Sequence, residues 1–235
     1  MKRSYLCLIL LLLAAGSAWA QGANVSAGWD AFIIRNGNTT ASPPNIVDRL
    51  DLGAGVIEIQ TWEGGQKAAL GTNLLNGATV AQVGALHIDR LDNVAISGSL
   101  YGPYFNMWIT DGAGHYAVIA NEPSDAEWAA DRWYSSGWAF LSTKRCKVYE
   151  TPGASTNTSW VHTYAGATSL VFADVADLVV AAPPAAYILD PLNAVSPGAP
   201  RELGTNVAYG YNWIFGDTAA NYVTGGNGFI VGNYY

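Results

Sequence analysis

Two strand-like runs place rings, amides and a carboxylate on a single face of the chain. Alternate positions of residues 55–62 and 104–110 hold the same kinds of side chain: Glu58, Gln60 and Trp62 in the first run, and Tyr104, Asn106 and Trp108 in the second. Side chains alternate across a strand, so each run has an apolar face for a core and a polar, aromatic face opposite it. Rings that stack, together with amides and carboxylates that bind hydroxyls, are the groups with which a sheet binds sugars. We therefore expect these residues to contact a polysaccharide or oligosaccharide; the alternative is that the rings are buried between two layers.

The segment Glu58-Ile-Gln-Thr-Trp-Glu63 also holds two carboxylates. It resembles the Glu-x-Asp-x-x-Glu motif of the laminarinase and lichenase family, retaining glycoside hydrolases with a concanavalin-like jelly roll. The resemblance implies that Glu58 is the nucleophile and Glu63 the acid/base. A retaining pair needs carboxyl groups about 5–5.5 Å apart, but a regular strand places these two on opposite faces, so a β-bulge near Thr61 and Trp62 is required. The family's central Asp is Gln60 here, so the charged neighbour of the nucleophile is absent.

The N-terminus has the pattern of a signal peptide. Lys2 and Arg3 precede an apolar run over residues 6–15, and Ala18-Trp19-Ala20 forms a cleavage site of the small-x-small type. We therefore expect residues 1–20 to be removed and residues 21–235 to form a single exported domain, either secreted, periplasmic or on the cell surface. The apolar run is too short to predict a membrane span.

The composition excludes some partners. The chain has a net charge of −7, which becomes about −9 without Lys2 and Arg3, and only 12% of its residues are charged. An acidic chain with no basic cluster is not expected to bind nucleic acid or anionic membranes. After cleavage Cys146 is the single cysteine, so no disulfide can form within the chain, and we expect it to be a passive strand residue. No cofactor or metal motif is present, although carboxylates in turns could hold a structural calcium ion: Asp48, Asp51, Asp174 and Asp177.

Short runs rich in Val, Ile, Thr, Tyr and Trp alternate with Gly, Pro and Asn turns. This pattern predicts an all-β, two-sheet β-sandwich of the jelly-roll or concanavalin-like kind, with one short helix over residues 125–134. The clearest hairpin pairs residues 104–110 with 115–121 across Asp111-Gly112. Further strands are predicted over residues 137–142, 147–150, 159–164, 170–173, 178–182, 207–215 and 228–232.

Three classes of function remain open. The first is a non-catalytic carbohydrate-binding or matrix β-sandwich, and the second is the hydrolase implied by Glu58 and Glu63. The third is an outer-membrane β-barrel, suggested by the terminal Tyr235 but disfavoured by the proline-rich segment 183–204 and by the helix. In addition, residues 212–229 resemble stretches of secreted bacterial proteins of uncharacterised function, a resemblance that implies export and no chemistry.

Overall fold

The computed structural model describes residues 25–37, 42–92, 103–121, 126–128, 134–135, 137–150, 160–187, 201–203, 205–217 and 227–235. Within these residues the chain is mostly β, with two main antiparallel sheets and two short α-helices. The all-β, two-sheet sandwich that the sequence predicts is therefore confirmed. The predicted signal peptide lies outside the described residues. No helix in the described ranges is long and apolar enough to cross a membrane.

The strands of this part of the chain are β1 Trp29–Asn36, β2 Asn45–Asp48, β3 Ile57–Gln60, β4 Gln66–Thr72, β5 Leu86–His87, β6 Asp89–Arg90, β7 Tyr104–Thr110, β8 Tyr116–Ala120, β9 Tyr134–Ser135, β10 Arg145–Glu150, β11 Leu170–Val171, β12 Val179–Val180, β13 Tyr211–Gly216 and β14 Phe229–Gly232. The larger sheet has the order β1-β4-β13-β7-β8-β10-β11, with β12 beside β7. The smaller sheet has the order β2-β3-β14-β6, and β5 pairs with β9. Since β3 and β4 belong to different sheets, the turn between them crosses a corner of the sandwich.

The two sheets share one apolar core. Phe105, Met107 and Ile109 of β7 contribute from the larger sheet, and Ile57 and Ile59 of β3 from the smaller, each no more than 2% exposed. These are the apolar positions of the alternation in the two runs. Complete burial of such a side chain stabilises the fold by about 1.5–3 kcal/mol. The inward direction of these residues fixes the direction of their polar neighbours, which point to the outer faces of the sheets.

The predicted hairpin is confirmed, as β7 and β8 pair from Asn106 opposite Ala120 to Thr110 opposite Tyr116. The connecting turn is stabilised by Asp111, whose Oδ1 accepts hydrogen bonds from the backbone N–H groups of residues 113 and 115 at 2.9 and 3.3 Å. A carboxylate that caps its own turn in this way has a local structural role. Strand predictions over residues 147–150, 178–182 and 228–232 are also confirmed by β10, β12 and β14.

Two strand predictions are wrong. Residues 137–142 and 159–164 instead contain α1 (Trp138–Leu141) and α2 (Trp160–Ala165). In such short segments, alternating apolar residues do not distinguish a strand from one or two helical turns.

Within the predicted helix over residues 125–134, Ala126–Trp128 form a 3-10 turn. Trp128 is fully buried, and its indole N–H donates to the carbonyl of Arg145 at 3.1 Å. Trp128 therefore anchors this segment to the core. Residues 125 and 129–133 lie outside the described residues, and Tyr134 begins strand β9, so the predicted helix is wrong at that end.

Candidate functional site

The polar and aromatic row of β7 lies on the outer face of the larger sheet and is covered by protein. Asn106 is 1% exposed and Trp108 is fully buried, while Tyr104 remains partly exposed. The expectation that Asn106 and Trp108 lie on an open sheet face is therefore wrong. Part of the cover comes from residues 208–210, which precede β13 and are called the covering segment below.

The covering segment is attached to this face by both packing and hydrogen bonds. Ala208 packs against Trp108. The Tyr209 hydroxyl donates to the carboxylate of Asp30 at 2.5 Å, and the Asn212 side-chain amide donates to the carbonyl of Tyr209 at 2.8 Å. Polar groups on this face of the sheet thus bind a segment of the same chain. The sequence had suggested that such groups would bind a ligand.

Glu58 lies on the outer face of the smaller sheet, and both of its carboxylate oxygens are engaged. Arg49 Nη1 donates to Oε2 at 2.9 Å, while Gln60 Nε2 and the backbone N–H of Gly228 donate to Oε1 at 2.8 and 2.9 Å. Glu58 is only 5% exposed. A nucleophile needs a lone pair that the substrate can reach, whereas this carboxylate orients its neighbours, Gln60 among them.

Glu63 lies beyond the end of β3, in the turn over residues 61–65 that leads to β4. β3 ends at Gln60, and its described pairings with β2 and β14 contain no register shift. The β-bulge that the hydrolase pairing requires is therefore absent from β3. Trp62 and Glu63 are both partly exposed at this corner of the sandwich.

A buried glutamine fixes the position of the turn. Gln66 Oε1 accepts a hydrogen bond from the backbone N–H of Trp62 at 2.6 Å. Its Nε2 donates to the carbonyls of Asn36 and Ser42 at 3.1 and 2.7 Å. Because Gln66 is fully buried, these bonds tie the turn to neighbouring chain segments, so Trp62 is attached to a rigid support.

An ionic cluster lies directly beside the turn. Lys67 Nζ is 3.1 Å from Asp217 Oδ2, and the Arg35 guanidinium pairs with the other oxygen of the same carboxylate. The Tyr104 hydroxyl donates to Asp217 Oδ2 at 3.4 Å. Asp217 has φ 95°, a conformation that costs a residue other than glycine about 1–3 kcal/mol. The surrounding contacts, which include a 2.7 Å hydrogen bond from its backbone N–H to the carbonyl of Gln66, hold it there.

Burial and charge shift the pKa values of this cluster. Lys67 is 1% exposed, and burial lowers its pKa to about 8. Burial and the nearby Asp217 charge raise the pKa of the Tyr104 hydroxyl well above its usual value. Burial alone would raise the pKa of Asp217, but Lys67 and Arg35 outweigh it and hold that pKa below its usual value. Such shifts occur at functional sites and in structural ion pairs alike.

The turn and the cluster are neighbours at the corner, because the backbone of Gly65 is hydrogen-bonded to both Arg35 and Asp217. They meet at Gly216, where a Cβ would lie 2.9 Å from Thr61 Cγ2. We call this the corner site, and its members are Arg35, Trp62, Glu63, Lys67, Tyr104 and Asp217. Three of these residues were predicted from the sequence, and the other three, Arg35, Lys67 and Asp217, were not. Lys67 in particular follows a turn and opens an apolar strand, and its partner comes from the distant end of β13.

Metal and thiol chemistry are not indicated by the described residues. Among them, no three His, Cys, Asp or Glu side chains form a group that could hold a metal ion, and a structural calcium ion stays a prediction. Cys146 is buried, and burial raises the pKa of its thiol to about 12. This is the environment expected of a passive strand cysteine.

No protein-family model, no curated protein and no solved structure matches this chain. Its function must therefore be inferred from its own residues and their geometry.

Proposed function

We propose that the protein is an exported, non-catalytic glycan-binding or matrix β-sandwich, and that the corner site contacts the sugar. The observation that carries this proposal is Trp62, a partly exposed indole on a turn that buried Gln66 holds in place. An indole stacks on the apolar face of a pyranose, and a rigid support lowers the entropy lost on binding.

Polar groups beside Trp62 supply partners for sugar hydroxyls. Glu63 offers a carboxylate and Arg35 offers N–H donors, and both residues are partly exposed. Gln60, at the end of β3, is also partly exposed, and its amide is oriented by Glu58. These donors and acceptors match the hydrogen-bonding capacity of a polyol.

The charges of the corner site favour a neutral glycan. Two cations, Arg35 and Lys67, stand beside two carboxylates, Glu63 and Asp217, so the site has no net charge to attract an acidic polymer. The net charge of the whole chain, −7, also disfavours acidic polysaccharides. A neutral polysaccharide is therefore the class of ligand that we expect the site to bind.

The hydrolase alternative has less support. It needs Glu58 to attack a sugar carbon and Glu63 to act from the same strand face. Glu58 is buried and accepts three hydrogen bonds, and Glu63 lies in the turn beyond β3. These positions suit binding better than a double-displacement reaction.

Affinity electrophoresis tests the proposal. The purified protein is run through native gels that contain a neutral β-glucan, a galactan or an acidic polysaccharide, and reducing-sugar release is assayed on the same panel. We expect retardation by at least one neutral polymer and no release of sugar. Unchanged mobility in every gel would contradict glycan binding, and release that disappears in Glu58→Gln would replace binding with hydrolysis.

A further inference from the structure

We infer that Lys67 and Asp217 become joined by an intramolecular isopeptide bond between Nζ and Cγ. The inference concerns covalent structure and does not depend on glycan binding. Both residues lie where β4 and β13 pair: Lys67 is opposite Gly216, and Asp217 directly follows β13. The Nζ–Oδ2 distance of 3.1 Å places the amine in contact with the carboxyl group.

The carboxyl group is held in one orientation for attack. The backbone N–H of Asp217 donates to the carbonyl of Gln66 at 2.7 Å, and its carbonyl accepts from the N–H of Gly65. Arg35 pairs with Oδ1, so Oδ2 is left towards Lys67. Fixed reactants at van der Waals distance react as though at very high concentration, since the entropy of bringing them together is already lost.

The existing hydrogen bond can supply the reactive forms. Transfer of one proton from Nζ to Oδ2 converts the ion pair into a neutral amine and a neutral carboxylic acid. Burial of Lys67 assists this transfer, because an apolar environment disfavours the ammonium and already lowers its pKa to about 8. The resulting amine carries the lone pair that attack on Cγ requires.

The bond-forming step is balanced within the cluster. The Nζ lone pair forms a bond to Cγ, and the negative charge that develops on Oδ1 is stabilised by the Arg35 guanidinium. Oδ2 then departs with its own proton and one more from Nζ as water, and the Tyr104 hydroxyl, 3.4 Å from Oδ2, is placed to assist that proton transfer. Ammonium and carboxylate thus give a neutral amide and one water molecule, with no oxidant or other reactant.

The product removes a costly pair of charges. Taking a lysine ammonium out of water is unfavourable, and Lys67 is 1% exposed. A neutral amide at the same place has no such penalty, and the released water gains freedom. The bond would also link two strands far apart in sequence, in a chain whose only described cysteine is buried and free.

Intact-mass spectrometry of the purified, folded protein tests the inference. After incubation at pH 8, we expect the denatured chain to be lighter than its sequence mass by one water, and a proteolytic peptide pair to contain residues 67 and 217 in covalent linkage. A protein at its full sequence mass, with separate peptides for the two residues, would overturn the inference.

Two variants separate this bond from other losses of water, such as succinimide formation in Asp-Gly turns. Lys67→Arg keeps the positive charge but cannot form the amide, so its chain should keep its full mass. Asp217→Asn should form the same link with loss of ammonia instead. If Lys67→Arg lost water to the same extent as the wild type, the inference would fail. If Lys67→Arg did not fold, the presence or absence of the linked peptide in the wild type would decide whether the bond forms.

Discussion

The two polar and aromatic rows of the chain have the same alternation, but their tryptophans differ in burial. The β7 row lies in the middle of the larger sheet, where the covering segment and its neighbours bury Asn106 and Trp108. The β3 row runs to a corner of the sandwich, so Trp62 lies past the last paired residue and stays partly exposed. The position of a row relative to the strand ends therefore decides whether its rings are buried or stay partly exposed.

The larger sheet is consequently an inner layer over much of its area. Its outer face carries a second apolar cluster that includes Phe32, Ile34, Ala69 and Ile214, none more than 2% exposed. The smaller sheet differs, since polar groups such as Asn45 and Gln60 remain accessible on its outer face. Four predictions test this difference, in order of decreasing effect.

Trp108→Ala should lower the free energy of unfolding by about 3–5 kcal/mol, because it empties a large buried site. Chemical denaturation followed by circular dichroism measures the change. An unchanged midpoint would mean that Trp108 is exposed and that the two rows are equivalent after all.

The pH dependence of stability should reveal buried Lys67 in a background that cannot form the isopeptide bond. In Asp217→Ala, Lys67 loses the carboxylate that raises its pKa. Its folded pKa then lies far below its unfolded value of about 10.5, so the unfolded chain binds the extra proton and stability rises with pH between these values. The expected rise is on the order of 3 kcal/mol.

The double variant Lys67→Met/Asp217→Ala is the control for that experiment. It lacks the titrating amine but keeps every other ionisable group of Asp217→Ala. The difference between the two curves of unfolding free energy against pH is therefore the contribution of Lys67. If the unfolding free energies of the two variants changed in parallel from pH 7 to pH 10, the burial of Lys67 would be contradicted.

Much of the fold could be predicted from the sequence, but the burial of the outer face of the larger sheet could not. Alternation in residues 104–110 identified the inner face of β7 through Phe105, Met107 and Ile109, because the period of a strand is a local property. Whether Trp108 was open or buried depended on Ala208, about a hundred residues away, and no local pattern reports such a contact. Lys67 and Asp217 were missed for the same reason.

Glu58→Gln should destabilise the protein by about 1–3 kcal/mol, since it replaces an acceptor of Arg49 with an amide that cannot serve all three donors. Binding of glycan should weaken little, because Gln60 is the one side chain proposed to face the glycan that Glu58 orients. Thermal unfolding and affinity electrophoresis measure the two effects separately. Full stability with complete loss of binding would place Glu58 in direct contact with the sugar.

Tyr209→Phe should have the smallest effect, about 0.5–1.5 kcal/mol, because it removes one hydrogen bond to Asp30 while the ring keeps its contact with Phe32. Hydrogen exchange of residues 208–210 should increase slightly. A loss as large as that of Trp108→Ala would show that this single bond, and not packing, holds the covering segment.

The central claim is that the corner site binds glycan through Trp62. Isothermal titration with an oligosaccharide of the retained polymer tests it on the wild type, Trp62→Ala and Trp138→Ala, which removes another partly exposed indole outside the site. We predict that Trp62→Ala weakens binding at least tenfold with little change in melting temperature, while Trp138→Ala binds as the wild type does. Equal affinity of Trp62→Ala and the wild type would contradict the claim.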